Sequence, residues 1–285
     1  MKMVKKIMAL ALALLMMAAL CACGGNGSAG ENKYGTIEAG KLIVATSPDY
    51  APYEFYALDE NGTPSLAGFD MALAAYIAKE LGLELEVVPM DFNGILGEMA
   101  AGTADLAIAG LSPDPDRQTA MDFSDIYYEG KQAFVTVKSN ADKFTDLAST
   151  NSAEFSVAAQ TGTIQEELAA QFSPDADYIS LPKATDIIAE LLAGQLDGAY
   201  IEWDVAVAYQ ANYPDLTIVC EVPYEAEGNV IGVDKGNAAL LEAVNAALHK
   251  CVDSGTFAQY VAEALELAAG ATANYVEGEG IVPNE

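Results

Sequence analysis

The side chain best suited to hold a charged ligand is Arg117, the only arginine among 13 basic residues. Its planar guanidinium can grip a carboxylate with two parallel hydrogen bonds, which a lysine ammonium cannot do. It follows the run Asp105-Leu106-Ala107-Ile108-Ala109-Gly110-Leu111-Ser112-Pro113-Asp114-Pro115-Asp116. Asp105 to Gly110 is a short apolar stretch that reads as a buried strand. Pro113 and Pro115 then bar sheet pairing, and a helix carrying Arg117 can begin near Asp114 or Asp116. The hydroxyl of Ser112 and free backbone groups at the strand end complete a set suited to the head of a free amino acid. The same residues also allow a plainer outcome, a surface ion pair of Arg117 with Asp114 or Asp116.

An internal echo supplies the opposite charge. Residues 95–110 lie over residues 187–202, with Ile95 on Ile187, Glu98 on Glu190, Gly102 on Gly194 and Asp105 on Asp197. Each copy reads as helix, glycine cap, aspartate, strand. The overlay puts Glu202 where the first copy has Gly110, at the exit of the equivalent strand. Two facing lobes would then hold Arg117 on one wall of a cleft and Glu202 on the other, a cation and an anion for the two ends of a zwitterion. Helix–glycine–strand grammar is generic, so chance similarity of two αβ units is the alternative.

The elements that must position these residues alternate. Lys41 to Ser47 is β-rich, and Ser47 to Gly62 reads as a loop. Leu73, Ile77 and Leu81 give one apolar face to a helix over 69–81, with Gly82 as its C-cap. Leu83 to Met90 begins with strand-like alternation, and Asn93 can cap a helix through Ala101. Further strands are expected at 155–158, 198–201, 216–220 and 229–233. Helices are expected from Thr163 to Gln171, from a Thr185 cap to Ala193, at 204–212, and at 238–254 and 257–267. The tail beyond Gly270 has no clear period. Such alternation implies right-handed βαβ units and mostly parallel sheets, with ligands at the strands' carboxyl ends.

Composition bounds the function. A length of 285 residues allows two domains, and 52% hydrophobic content is enough for a core. A net charge of −29 argues against nucleic acid and against flat adhesion to an anionic membrane. It favours cationic or zwitterionic small ligands. Lys2, Lys5 and Lys6 precede an apolar run from Ile7 to Leu20, the pattern of a signal peptide over 1–22. Leu20-Cys21-Ala22-Cys23 resembles a bacterial lipobox, which implies cleavage before Cys23 and lipidation of its thiol. Residues 23–35, rich in Gly, Asn and Ser, read as a tether. Cys220 and Cys251 could pair or remain free thiols. His249 is the only histidine, so neither a metal site nor a cofactor is expected.

Several stretches together resemble the family 3 solute-binding proteins, the amino-acid receptors of ABC importers. They are Val44-Ala45-Thr46-Ser47-Pro48-Asp49-Tyr50-Ala51-Pro52-Tyr53-Glu54, Leu66-Ala67-Gly68-Phe69-Asp70 and Met90-Asp91-Phe92-Asn93-Gly94. The arginine stretch, Met121-Asp122-Phe123-Ser124-Asp125 and Gly162-Thr163-Ile164-Gln165 complete the set. The resemblance implies an α/β, two-lobed, type II periplasmic-binding-protein fold. Each lobe would be a mixed, mostly parallel sheet flanked by helices. Residues 36–130 plus 228–285 would form one lobe and 131–227 the other, with hinge crossings near Gly130 and Glu227–Gly228. It also implies roles. Arg117, Ser112 and the amides of Thr163 and Ile164 would hold the α-carboxylate. The Gly110 carbonyl and Glu202 would take the α-ammonium. Tyr50 and Phe92 would sandwich the side chain, with Ser47, Asp49 and Glu54 reading its polar end.

The expected function follows from the resemblance. It is a lipid-anchored, monomeric receptor outside the cell membrane that hands a free L-amino acid to a permease. The acid excess and Glu54 lean towards polar or basic amino acids. Because some relatives on this fold are prephenate or arogenate dehydratases, an enzyme of the cyclohexadienyl dehydratase kind is the alternative. A detached sensor domain is a third reading.

Overall fold

Two five-stranded mixed sheets dominate the computed structural model, and both are built on the same plan. The structure describes residues 32–225, 228–270, 272–276 and 280–283. The signal segment 1–22, Cys23, the tether as far as residue 31, and Glu227 lie outside the described residues. The first sheet joins β1 (Lys41–Thr46), β5 (Glu84–Pro89), β6 (Leu106–Ala107), β7 (Met121–Phe123) and β13 (Gly232–Asp234) in the order β5-β1-β6-β13-β7. The second joins β8 (Gln132–Val137), β9 (Ser156–Gln160), β10 (Asp177–Leu181), β11 (Gly198–Glu202) and β12 (Leu216–Val222) in the order β10-β9-β11-β8-β12. In each, two neighbouring pairings are parallel and two antiparallel. The parallel share is therefore half rather than most.

The helices follow the apolar periodicity. They are α1 (Phe69–Leu81), α2 (Phe92–Ala101), α3 (Ile164–Phe172), α4 (Ala184–Leu192), α5 (Trp203–Asn212), α6 (Ala238–Asp253) and α7 (Thr256–Ala268). On α1, Leu73 and Ile77 are fully buried. Gly82, at φ 69°, ends that helix: its N–H donates to Lys79 O, and the Leu83 N–H donates to Ala78 O.

The echoed segments occupy matching places, since β6 and β11 are each third in their sheet. Their aspartates share a task. The Asp105 carboxylate accepts the Ile43 N–H at 2.8 Å, in the parallel neighbour β1, and the Ile37 N–H at 2.8 Å. Asp197 accepts the Ser156 N–H at 3.1 Å, at the start of the parallel neighbour β9. The preceding glycines, Gly102 and Gly194, both have left-handed backbones, at φ 66° and 72°. The echo is thus one structural solution used twice.

Several expectations are corrected. The stretch after Ser47 is not a plain loop: β2 (Asp49–Tyr50), β3 (Glu54–Leu58) and β4 (Pro64–Ala67) form a third sheet. The tail beyond Gly270 supplies β14 (Thr272–Val276) and β15 (Gly280–Pro283) to it. Neither part shows a long apolar period, because these strands are short. The strand expected over 105–110 narrows to Leu106–Ala107. The Ile108 N–H still reaches Ala45 O, but Gly110 turns the chain at φ 55°. The strand expected over 229–233 is confined to Gly232–Asp234. Asn93 and Thr185 are not caps; the N-caps are Asp91 and Lys183. Arg117 sits in a three-residue 3-10 turn, Arg117–Thr119, rather than a full helix. Pro115 keeps the preceding residue extended, and β7 begins at Met121, which leaves no room for more. Cys220 and Cys251 are free thiols.

Asp105 is fully buried and accepts two backbone donors that nothing else in its place could satisfy. Asp105→Ala is expected to destabilise the protein by about 2 kcal/mol, the cost of stranding partly buried N–H groups. Urea denaturation checks this, and an unchanged midpoint would refute it.

Candidate functional site

The carboxyl ends of the two sheets converge on one narrow cleft, with about 380 Å³ of space between its atoms, part of it open to solvent. All eleven residues expected from the sequence line it: Ser47, Asp49, Tyr50, Glu54, Phe92, Gly110, Ser112, Arg117, Thr163, Ile164 and Glu202. Ala109, Gln132, Gln160 and Gln165 line it as well.

Arg117 is 8% exposed and is not the surface ion pair that its neighbours allowed. Its Nη1 donates to Ser112 O at 2.8 Å, and its Nη2 crosses to Gly162 O at 2.9 Å. The Phe92 ring, from the first residue of α2, lies with its centroid 5.4 Å from the guanidinium carbon. Burial lowers the guanidinium pKa, opposed by the more distant charges of Asp114 and Glu167. Carbonyl oxygens carry only partial charge, so two of the five donors are held in place while the cation stays unneutralised. A carboxylate arriving here would meet a fixed fork.

The other wall is acidic. Glu202, the last residue of β11, is 2% exposed and caps α5, its Oε2 accepting the Val205 N–H at 2.9 Å. Its Oε1 accepts the Lys131 N–H at 3.3 Å. Burial, helped by the Asp204 charge, pushes its pKa up to about 8. Glu54, on β3, is fully buried; no N–H or hydroxyl donor reaches its oxygens among the described residues, and its side-chain hydrogen-bond neighbour is the Asp70 carboxyl. Desolvation, with the nearby Asp70 and Asp49 charges, drives its pKa well above the usual carboxylate range. Asp49 is also buried, and desolvation raises it to about 6. Three buried carboxyls therefore share a cavity with one buried guanidinium.

Backbone placement is tight at Gly110. A Cβ there would lie 3.3 Å from the Tyr53 ring and 3.4 Å from the Tyr50 ring, and the positive φ already favours glycine. Its N–H donates to Asp70 Oδ2 at 2.8 Å, and its carbonyl accepts from Asn229 Nδ2 at 2.7 Å. Asn229 thus fixes the carbonyl expected to meet an ammonium, a role with no sequence signal. The Thr163 amide is partly engaged, donating to Gln160 O at 3.3 Å. Gln165 Nε2 bridges Tyr50 Oη at 3.2 Å and Gln132 Oε1 at 2.7 Å. Gln165 ends the stretch Gly162-Thr163-Ile164-Gln165, but the resemblance implies no role for it, and Gln132 and Gln160 belong to no motif read in the sequence; only their placement on the second sheet and on α3 brings them in.

The raised acids fix a sign. Glu202, Asp49 and Asp70 titrate at about 8, 6 and 6 in the folded chain, against 4.5 and 3.8 for free glutamate and aspartate groups. Between pH 4 and 8 the folded state binds more protons than the unfolded one, so stability falls as pH rises through that window. The ligand-free protein should melt at a higher temperature at pH 6 than at pH 8.5. Self-repulsion of the net charge acts in the same direction, so Glu202→Gln is the control. It should flatten the portion above pH 7, and an identical slope in that variant would refute the assignment to Glu202.

Comparison with known proteins gives a consistent family. The family model for bacterial extracellular solute-binding proteins, family 3, matches residues 42–265. The chain is 32% identical over 256 residues to the arginine-binding extracellular protein ArtP of Bacillus subtilis (strain 168), covering 88% of this chain and 94% of that one. Among solved structures it is similar to the amino acid ABC transporter substrate-binding protein AbpA of Streptococcus pneumoniae bound to L-arginine. The TM-score is 0.76 and the identity 34%, covering 81% of this chain and 96% of that one. A shorter similarity, 29% over 161 residues, links it to the cyclohexadienyl dehydratase of Pseudomonas aeruginosa, covering 56% of this chain and 59% of the enzyme.

Proposed function

The chain belongs to family 3 of the bacterial extracellular solute-binding proteins, and from that premise we propose that its cleft captures a free amino acid with a cationic side chain, arginine first, and delivers it to an ABC importer. The observation that carries this reading is the make-up of the buried cavity, one guanidinium facing the carboxyls of Asp49, Glu54 and Glu202, which an incoming cation favours in their ionised form. An α-carboxylate offsets Arg117, and an α-ammonium offsets Glu202. A side-chain cation offsets what remains, and Glu54, buried with only another carboxyl, Asp70, beside it and no donor to offset its charge, is the acceptor with most to gain. Tyr50 and Phe92 offer ring faces for the aliphatic stem, and Ser47, Ser112, Thr163 and Ile164 supply polar contacts to its two ends. The relatives named for arginine agree with that charge count.

The mechanism is closure. Residues 36–130 with 228–285 make one lobe and 131–227 the other, each carrying one of the two similar sheets. The chain crosses between them beside the bridge of Tyr128 to Asn229. Gly130 is wedged there, where a Cβ would come within 2.9 Å of Tyr53 Oη and 3.1 Å of both Asn229 Oδ1 and Glu202 Oε1. Ligand contacts to both lobes exist together only in the closed form, so ligand shifts the population towards it. Lipid attachment at Cys23, after removal of residues 1–22, would hold a monomeric receptor at the outer membrane face beside its permease. Cys23→Ser is expected to move the protein from the membrane fraction into the medium, and retention at the membrane would refute the anchor.

A second reading draws on the dehydratase similarity and on Glu202, which carries a proton near neutral pH as a general acid must. Turnover of prephenate or arogenate to the aromatic product would support it.

A thermal-shift screen of the free amino acids decides the first reading. Arginine and lysine are expected to stabilise the protein most, and stabilisation by none would refute it. Arg117→Ala is expected to cost about 2–5 kcal/mol of arginine binding, measured by calorimetry, and Arg117→Lys a large part of that, because lysine lacks the fork. Near-normal affinity in both would remove the carboxylate grip.

A further inference from the structure

Resting on the reading of a cleft that closes over its ligand, we propose that Asp49 is the positioning residue of closure: its carboxylate ties β2 to the start of α4 and sets how long a bound ligand stays. Three observations converge on it. Oδ2 accepts the Ala184 N–H at 2.6 Å and Gln160 Nε2 at 3.2 Å, so one oxygen grasps the first residue of α4 and the last of β9. Oδ1 accepts from Ser47 Oγ at 2.7 Å, on its own side of the cavity. Its backbone carbonyl accepts from Tyr209 Oη, on α5, at 3.2 Å. One residue of a two-residue strand is thereby joined to three elements packed around the second sheet.

The chemistry suits a tie. The Ala184 N–H is an orphan donor at a helix start, where no intrahelical acceptor exists, and a carboxylate there gains from the charge and from the helix dipole. Lys183, the N-cap of α4, adds positive charge beside it and lies 3.8 Å from Asp91, a second approach between the same two regions. Desolvation raises Asp49 and the Asp91 charge raises it slightly, while Ser47, the Ala184 N–H and Lys183 lower it. The carboxylate is buried where it is and held by donors on both sides. Opening the cleft must break the bonds to Ala184, Gln160 and Tyr209 together, whereas the Ser47 bond can persist. Release requires opening, so the tie acts on dissociation rather than on encounter.

The position also organises the pocket. Gln160 and Ser47 both line the cavity, and both are anchored by the two oxygens of Asp49. Loss of the carboxylate frees Ser47 to turn and leaves Gln160 Nε2 held by Pro182 O alone, at 3.1 Å, so the far end of the ligand loses order along with the latch.

The test pairs substitutions at the two ends of the shortest bond. Asp49→Asn keeps the shape but removes the charge. Ala184→Pro removes the N–H donor at the first helical position, where proline is tolerated and where Lys183 is already extended, as proline requires. Stopped-flow measurement with L-arginine should show dissociation faster by about tenfold in each variant, with association changed by less than about twofold. The double variant should dissociate no faster than the faster single one. Independent, multiplying effects would overturn the tie, as would an unchanged dissociation rate in both single variants, or a loss confined to association. Small-angle scattering of the ligand-free protein adds an arm that does not need the amino acid. If the native chain binds no amino acid, the proposed function fails, but a shift of Asp49→Asn and Ala184→Pro towards a larger radius of gyration still supports the tie. No shift in either variant then overturns it.

Discussion

A buried guanidinium with no carboxylate against it among the described residues is the constraint on which the site depends. Taking a cation out of water costs several kcal/mol unless an anion and good hydrogen bonds compensate. Arg117 has the hydrogen bonds, to Ser112 O and Gly162 O, and a ring face from Phe92, but the charge is left for a ligand to balance. One of those carbonyls comes from each side of the cavity, so on the proposed reading the side chain that would meet an anion is also the one that bridges the two sides, and recognition and closure would share one group.

The acidic side obeys the same logic with the sign reversed. Glu202 is pinned as the cap of α5 and Asp49 as the acceptor at α4, so both carboxyls have backbone donors to offset part of their burial. Glu54 has none, and the acids around it raise its pKa further. The two helix-held acids are fixed in place, and the third is not. On the proposed reading, that difference in anchoring would let one cavity combine a fixed grip on the amino-acid head with selection by the charge of the side chain.

Much of this was legible in the sequence, for reasons that differ by residue. Arg117 stood out because arginine occurs once, and the proline pair marked its loop. The helix over 69–81 was plain from periodicity, a helix over 238–254 was also expected, and the echo located Glu202 by overlaying it on Gly110. The reason for that echo was not visible: Asp105 and Asp197 each secure the start of a parallel neighbour strand, a contact across 62 and 41 residues. Gln132, Gln160, Gln165 and Asn229 escaped for the same cause, since a neutral amide carries no local pattern and acts only through distant partners. The third sheet escaped because its strands are too short to show alternation, and its last two come from the far end of the chain.

The strand and helix ends explain why the site is where it is. Most residues that touch the cavity lie at the exit of a strand, at a helix start, or in the turns between them, while Glu54 and Gln132 open their strands. Those positions leave backbone donors and acceptors without ladder or helix partners, and they are the places where a protein must supply polar groups in any case. Ser112 O, Gly162 O and Gly110 O are spoken for by Arg117 and Asn229, and the Ala184 N–H by Asp49. The side chains that satisfy these backbone groups are the same ones that shape the cavity. Stability of the loops and geometry of the site are therefore not separable here: a change that loosens one of these bonds alters the turn and the cavity in a single step. That coupling accounts for a cleft assembled from two similar αβ units in which the sheets repeat while the residues at their exits do not, arginine being used on one side and glutamate on the other.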